Sequence, residues 1–260
     1  MPFSEFVTIS PDARLYRRGA PYRFLGTNMW YAMHLGASDP PRLLRELDRL
    51  RALGVRNVRA LAASEGPDSE SWFAREREHV MPGLSDLFSL GQQPTPWRVV
   101  PSLQPSPGEY NDAVLRGLDT FVSAVAQRNM TCVLMLGNMW PWSGGFAQYV
   151  AWSEGSPIPY MPPEPGGDWD RFQRYAAKFY ADADAQAAFL SHTRMMLTRT
   201  NALTGVRYAD EPAIMGWQLA NEPRPMRQVG AFRRWLDSST GLIRSLAPLQ
   251  LISIGSEGRT

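Results

Sequence analysis

The stretch Ala213-Ile214-Met215-Gly216-Trp217-Gln218-Leu219-Ala220-Asn221-Glu222-Pro223 runs apolar and then stops on an amide, a carboxylate and a proline. A short apolar run bounded by Pro212 and Pro223 reads as a buried strand. A strand buried on both faces belongs to a parallel sheet covered by helices. Outward from this stretch the same alternation repeats. On the N-terminal side, "AQAAFLSHTRMMLTRTN" (185–201) reads as a helix. On the C-terminal side, "VGAFRRWLDSSTGLIRSLAP" (229–248) reads as a helix broken near Gly241, and "LQLISIGSEG" (249–258) as a further strand.

The earlier part of the chain follows the same plan. "YRFLGTNMWY" (22–31) is a short strand ending at Gly26-Thr27-Asn28. "DPPRLLRELDRLRALG" (39–54) is a helix with Asp39 as N-cap, prolines in its first turn and Gly54 as its stop. Its apolar face is Leu43, Leu44, Leu47 and Leu50. "VRNVRALA" (55–62) is the second strand. A Pro/Gly/Ser-rich segment then runs to about Gly108. Next come a helix in "NDAVLRGLDTFVSAVAQRNM" (111–130), whose apolar residues recur at helical spacing, and the strand "TCVLMLGN" (131–138). A second long loop, rich in Trp, Tyr, Pro and Gly, is expected from Met139 to Gly167. The fold class is therefore α/β, with five strands on a single domain over residues 1–260.

Composition excludes several functions. The chain has 260 residues, 44% of them hydrophobic, enough for a sizeable core. A net charge of +2 argues against a nucleic-acid partner. Lys178 is the only lysine, a bias from which no function follows. Cys132 is the only cysteine and lies in an apolar run, so it reads as a core thiol. His34, His79 and His192 lack metal-ligand spacing, and neither a Walker loop nor a G-x-G-x-x-G fingerprint occurs. His192 reads as a surface or satisfied histidine. No metal and no organic cofactor is expected. "MPFSEFVTIS" lacks a basic region followed by an apolar one, so no signal peptide is read, and no run is apolar enough for a membrane span.

What remains gathers at the strand ends. The first offers Asn28 and Trp30; the second Arg59, then Ser64 and Glu65; the third Asn138 and Trp140; the fourth Asn221 and Glu222; the fifth Glu257. In a (β/α)-barrel those ends converge on one face, where active sites sit. Glu222 is the sharpest candidate, because partial desolvation at a barrel mouth favours the protonated form that a general acid needs. Asn221 offers neutral hydrogen bonds to a hydroxyl. "NMWPWSGGFAQYVAW" (138–152) adds Trp140, Trp142, Phe146, Tyr149 and Trp152, rings suited to stacking on pyranose faces, with two or three of them expected only to pack the loop. Gly144-Gly145 allows close backbone approach to a ligand, or a tight turn.

These residues resemble glycoside hydrolase family 5, most closely its β-mannan-degrading branch. The resemblance is carried by "FLGTNMWY", "LRELDRLRALGVRNVRALAASEGPD", "PWRVVPSLQPSPGEYN", "NMWPWSGGFAQY" and "RTNALTGVRYADEPAIMGWQLANEPR", and "WQLANEP" is its specific element. It implies a (β/α)8 TIM barrel and retaining hydrolysis of β-1,4-mannosidic bonds in mannan, glucomannan or manno-oligosaccharides. An exo-acting β-mannosidase and a non-catalytic mannan-binding barrel are the alternatives. Glu222 matches the family's acid/base, Asn221 the residue that binds the 2-hydroxyl, and Arg59 the arginine that orients the nucleophile. Trp30, Asn138 and Trp140 fall on substrate-facing positions, and Glu257 on the cleft wall. An extracellular location is what the family implies.

Two departures stand out. "SWFAREREHVMPGLSDLFSLGQQPT" (71–95) interrupts an otherwise direct join. The family's nucleophile is a glutamate of the seventh strand, whereas five strands are read here. The expectation is a barrel truncated after its fifth strand, with the partner of Glu222 outside the sequence unless Glu257 replaces it.

Overall fold

The computed structural model describes residues 5–68, 98–162 and 166–257. Residues 71–95, the interruption named above, lie outside the described residues.

Five strands, β4 (Leu25–Asn28), β5 (Val55–Leu61), β6 (Thr131–Met135), β7 (Ile214–Gln218) and β8 (Leu251–Ser253), form one parallel sheet in chain order. Parallel neighbours in sequence order require crossovers, and helices supply them. The first crossover holds α1 (Ala32–Ser38) and α2 (Pro40–Ala52), the second α3 (Asp112–Gln127). The third holds α4 (Gly145–Glu154), α5 (Trp169–Ala177) and α6 (Ala183–Thr198), and the fourth α7 (Val229–Leu246). Register places Asn28 opposite Arg59, Arg59 opposite Val133, and Gln218 opposite both Met135 and Ser253.

Local signals account for the helix ends. Asp39 accepts from Arg42 N–H ahead of Pro40 and Pro41, and Asn111, Asp168 and Asp182 cap α3, α5 and α6 in the same way. Gly54 closes the first crossover at φ +89°. On α2, Leu43 and Leu47 are buried, Leu50 is half-buried and Leu44 is exposed, so the apolar face is narrower than the sequence suggested. Helix α7 runs unbroken through Gly241.

Helices α1 and α3 cross closely. A Cβ on Gly36 would lie 2.3 Å from the Gly117 carbonyl oxygen, and one on Gly117 would lie 2.1 Å from the Met33 carbonyl oxygen. Only glycine permits this approach.

Two features escaped the sequence reading. Residues Met139 to Gly167 are not one loop: a short 3-10 turn (Pro141–Ser143) and α4 occupy the first half. Phe146 of α4 enters an aromatic cluster with Phe179, Tyr180, Phe189 and Trp235, with ring centroids 4.3–6.2 Å away. That burial makes a Gly-flanked segment helical. The second is an antiparallel three-stranded sheet, β1 (Thr8–Ile9), β2 (Leu15–Arg17) and β3 (Ala20–Pro21). Nearby, Tyr22 reaches the Arg56 carbonyl and the Thr131 hydroxyl, tying this region to the N-terminal ends of β5 and β6. The opposite end of the parallel sheet is left to the site.

An ion pair between a buried carboxylate and a half-buried guanidinium holds α3 to the segment after α6. Asp119 accepts from Arg199 at 3.0 and 2.6 Å, from the Tyr208 hydroxyl at 2.7 Å and from Ala202 N–H at 3.2 Å. Four donors on one carboxylate offset the cost of burying it. Among the described residues, no helix is long and apolar enough to cross a membrane.

Candidate active site

Asn28, Arg59, Asn138, Asn221, Glu222 and Glu257 all lie at the C-terminal edge of the parallel sheet. Most of them are joined by hydrogen bonds. Arg59 donates from Nε to Gln218 Oε1 at 2.7 Å, from one terminal nitrogen to Asn28 Oδ1 at 3.4 Å, and from the other to Asn221 Oδ1 at 2.8 Å. A guanidinium only donates, so these contacts fix which end of the Asn221 amide is oxygen. The Asn221 Nδ2 donates to Asn138 Oδ1 at 3.1 Å. One of its two protons is thereby used, and among the described residues no hydrogen bond engages the second. Burial pushes the Arg59 guanidinium below its ordinary value, and the charge of Glu222 acts in the opposite direction.

Asn138 stands beneath this layer. It is fully buried; Oδ1 also accepts from Trp140 N–H, and Nδ2 donates to Ser143 Oγ at 3.0 Å. Its placement is that of a brace for Asn221 and for the turn carrying Trp140.

Glu222 is half-buried and has φ +52°, in the left-handed region that non-glycine residues rarely adopt. Its N–H donates to the Gly255 carbonyl at 3.0 Å, and Pro223 follows it. The side chain accepts at Oε2 from the Trp140 indole N–H at 2.6 Å. The Trp140 ring is half-buried. It lies under the Arg224 guanidinium at 5.0 Å, stacks on Phe172 at 6.3 Å and meets Trp169 edge-on at 5.7 Å. Glu257 forms a two-bond pair with Arg224, at 2.9 and 2.8 Å, and the same guanidinium donates to Gln173 of α5 at 2.8 Å.

The other aromatics divide. Trp30 is exposed at the sheet edge and packs edge-on against Trp142 at 5.3 Å. Phe146 and Tyr149 are fully buried, and Trp152 is half-buried against Tyr149 at 5.4 Å. Gly144 and Gly145 serve a tight turn rather than a ligand: Cβ atoms there would lie 2.1 Å from the Glu65 carbonyl and 2.3 Å from the Asn138 carbonyl.

Ser64 and Glu65, which follow β5, are buried. The Ser64 hydroxyl accepts from Leu103 N–H. Glu65 accepts from Gly145 N–H at 2.8 Å and lies 3.5 Å from the Tyr149 hydroxyl. Burial pushes its carboxyl up to about 8, against the Gly145 bond, the Arg98 charge and the Tyr149 bond. His192 is wholly buried, not on the surface: Nε2 faces the Ala62 carbonyl at 3.0 Å and Nδ1 the Tyr110 hydroxyl at 3.3 Å. Burial pushes it down to about 4.

A family model described as GH family 5 beta-mannosidase-like matches residues 4–260. The chain belongs to glycoside hydrolase family 5. A Glycoside Hydrolase Family 5 Mannosidase variant from Rhizomucor miehei superposes with a TM-score of 0.83 at 35% identity, covering 99% of this chain and 57% of that one. A further structure of that mannosidase, in complex with mannosyl-fructose, gives a TM-score of 0.83 and 35% identity over 98% of this chain and 56% of that one. Mannan endo-1,4-beta-mannosidase 5 of Solanum lycopersicum is 27% identical over 257 residues, 97% of this chain and 51% of that protein. The chain spans about half the length of such curated relatives. The five-stranded parallel sheet is thus part of the TIM-barrel architecture that this glycoside hydrolase family uses.

Sequence reasoning passed over Gln218, Ser143, Gln173 and Arg224. Gln218 carried a signal, as a polar residue inside an otherwise apolar strand. Gln173 carried none, because α5 lies in a stretch with no expected element.

Proposed function

We propose that this family 5 chain carries the acid/base half of a retaining site for β-1,4-mannosidic bonds in mannan, glucomannan or manno-oligosaccharides. The observation that supports it most is Glu222 at the sheet edge, beside an Asn221 whose amide is oriented by Arg59. In the first step Glu222 protonates the glycosidic oxygen as the leaving group departs. A second glutamate, about 5–5.5 Å away in retaining enzymes, bonds to the anomeric carbon. In the second step Glu222 takes a proton from the attacking water. Asn221, with one N–H unspent, binds the hydroxyl next to the scissile bond. Arg59 holds that amide and adds positive charge on the nucleophile's side. Glu257, committed to Arg224, acts as cleft wall rather than nucleophile.

The description of the matching family model as beta-mannosidase-like favours an exo-acting second reading. Mannohexaose is the test substrate, assayed with the chain and with a version extended through an eighth barrel strand. Mannobiose and mannotriose among the first products support endo action, mannose with mannopentaose as the first products supports exo action, and no cleavage by the extended version rejects both.

A further inference from the structure

An indole nitrogen can only donate, so the atom facing it must keep a lone pair available. That atom is Glu222 Oε2, 2.6 Å from Trp140 Nε1. Among the described residues no hydrogen bond engages Oε1. The two oxygens of this carboxyl are therefore inequivalent before any sugar arrives.

The donor is also held in place. Arg224 covers the Trp140 ring at 5.0 Å, and Glu257 and Gln173 fix that guanidinium with three hydrogen bonds. Phe172 and Trp169 contact the ring as well. For the N–H to leave Oε2, the indole would have to break this stack. The acceptor is equally constrained, by the left-handed backbone of Glu222 and its N–H bond to Gly255.

We propose that Trp140 is a positioning residue that reserves Oε2 as an acceptor and directs the acid/base proton to Oε1, with the Arg224–Glu257 pair keeping the indole in register. The proposal rests on the reading of Glu222 as the acid/base. As the bond between the anomeric carbon and the glycosidic oxygen breaks, its electron pair goes to that oxygen, which takes the Oε1 proton, while the nucleophilic carboxylate bonds to the anomeric carbon. In the return step a water oxygen bonds to that carbon, the carboxylate–carbon bond breaks, and the water's proton goes to Oε1. The proton leaves and returns by one oxygen. An N–H bonded to the carboxylate in this way is an alternative use of Trp140 to that of a sugar platform.

The test is spectroscopic and needs no turnover, so its failure is separable from a failure of the acid/base reading. The nine tryptophan indole N–H signals of the ¹⁵N-labelled chain are followed through a pH titration, with Trp140 assigned from Trp140→Phe. If that variant does not fold, the signal whose pH response disappears in Glu222→Gln serves as the assignment. The expected result is a Trp140 signal that moves with the protonation of Glu222. At both ends of the titration it should stay protected from solvent exchange by roughly tenfold or more relative to a free indole, as a retained hydrogen bond requires. Arg224→Leu should reduce that protection. Loss of protection at the acid end would put the proton on Oε2 and overturn the proposal. So would a signal that ignores Glu222, or protection unaffected by Arg224→Leu. In a catalytically complete version, Trp140→Phe should lower kcat and leave KM nearly unchanged. A raised KM with kcat intact would assign the ring to sugar stacking instead.

Discussion

Arg59 and Asn221 are 162 positions apart in sequence, yet the guanidinium of the first donates to the amide oxygen of the second at 2.8 Å. That bond crosses from β5 to the end of β7, past the intervening strand β6. It decides which way the Asn221 amide points. Substituting Arg59 should therefore damage a residue it does not replace. In a catalytically complete version, Arg59→Met is expected to lower kcat/KM roughly 10- to 100-fold, the range for losing a charge-assisted hydrogen bond. Substrates lacking the hydroxyl assigned to Asn221 under the proposed function should show a smaller loss. Steady-state kinetics on matched substrates checks this, and equal losses on both would separate Arg59 from Asn221.

Asp119 is the stability counterpart. Its carboxylate is fully buried and receives Arg199, Tyr208 and Ala202. Asp119→Ala leaves the Arg199 charge uncompensated, at a cost of about 3–5 kcal/mol. Urea unfolding should show a midpoint lowered accordingly, with an unchanged slope.

Gly36 makes the sharper packing test. A methyl group there meets the Gly117 backbone at 2.3 Å, and backbone cannot rotate away. Gly36→Ala is expected to cost about 1–3 kcal/mol from overpacking, although alanine normally favours a helix. Gly241→Ala, where nothing lies within 4 Å, should stabilise by the ordinary helix preference. Thermal melts of the two variants should move in opposite directions.

The pH dependence of stability follows from two buried groups. Glu65 is pushed from 4.5 to about 8 in the fold, so the folded chain holds a proton that the unfolded chain has released. Its contribution is fully present below 4.5 and declines as pH rises towards 8. His192 is pushed from 6.5 down to about 4, so its contribution declines as pH falls through that interval. Glu65→Gln keeps an acceptor for Gly145 N–H and should remove the alkaline decline while leaving the acid one. Urea midpoints at about pH 5 and about pH 9 read both effects.

Much of this fold was legible because its signals are local. The strands read as apolar runs, and Asp39 and Gly54 marked helix ends through signals within a few residues. The convergence of Asn28, Arg59, Asn138, Glu222 and Glu257 on one edge also followed, because a parallel sheet orders its strand ends. What stayed hidden depends on distant partners. Helix α4 is held by Phe146 in a cluster assembled from α6, α7 and the turn after α5, which no local pattern encodes. Asn138 reads like a site residue; the structure buries it fully, with its amide oxygen accepting from Asn221 and Trp140 and its nitrogen donating to Ser143. Spacing could not reveal that Trp140 turns its N–H to Glu222, since the two come from different strand ends.

The central claim, that Glu222 is the acid/base of a retaining β-mannosidic site, is tested most directly by azide rescue of Glu222→Ala in a version carrying the complete barrel. Removing the acid/base should cost roughly 10²–10⁴-fold on mannohexaose. Less should be lost in the first step on an aryl β-mannoside, whose good leaving group departs without a proton. Azide should then attack the glycosyl-enzyme, restoring turnover of the aryl substrate and giving β-mannosyl azide by NMR, the retained configuration. Equal losses on the two substrates with no azide product, or a product of α-configuration, would contradict the account.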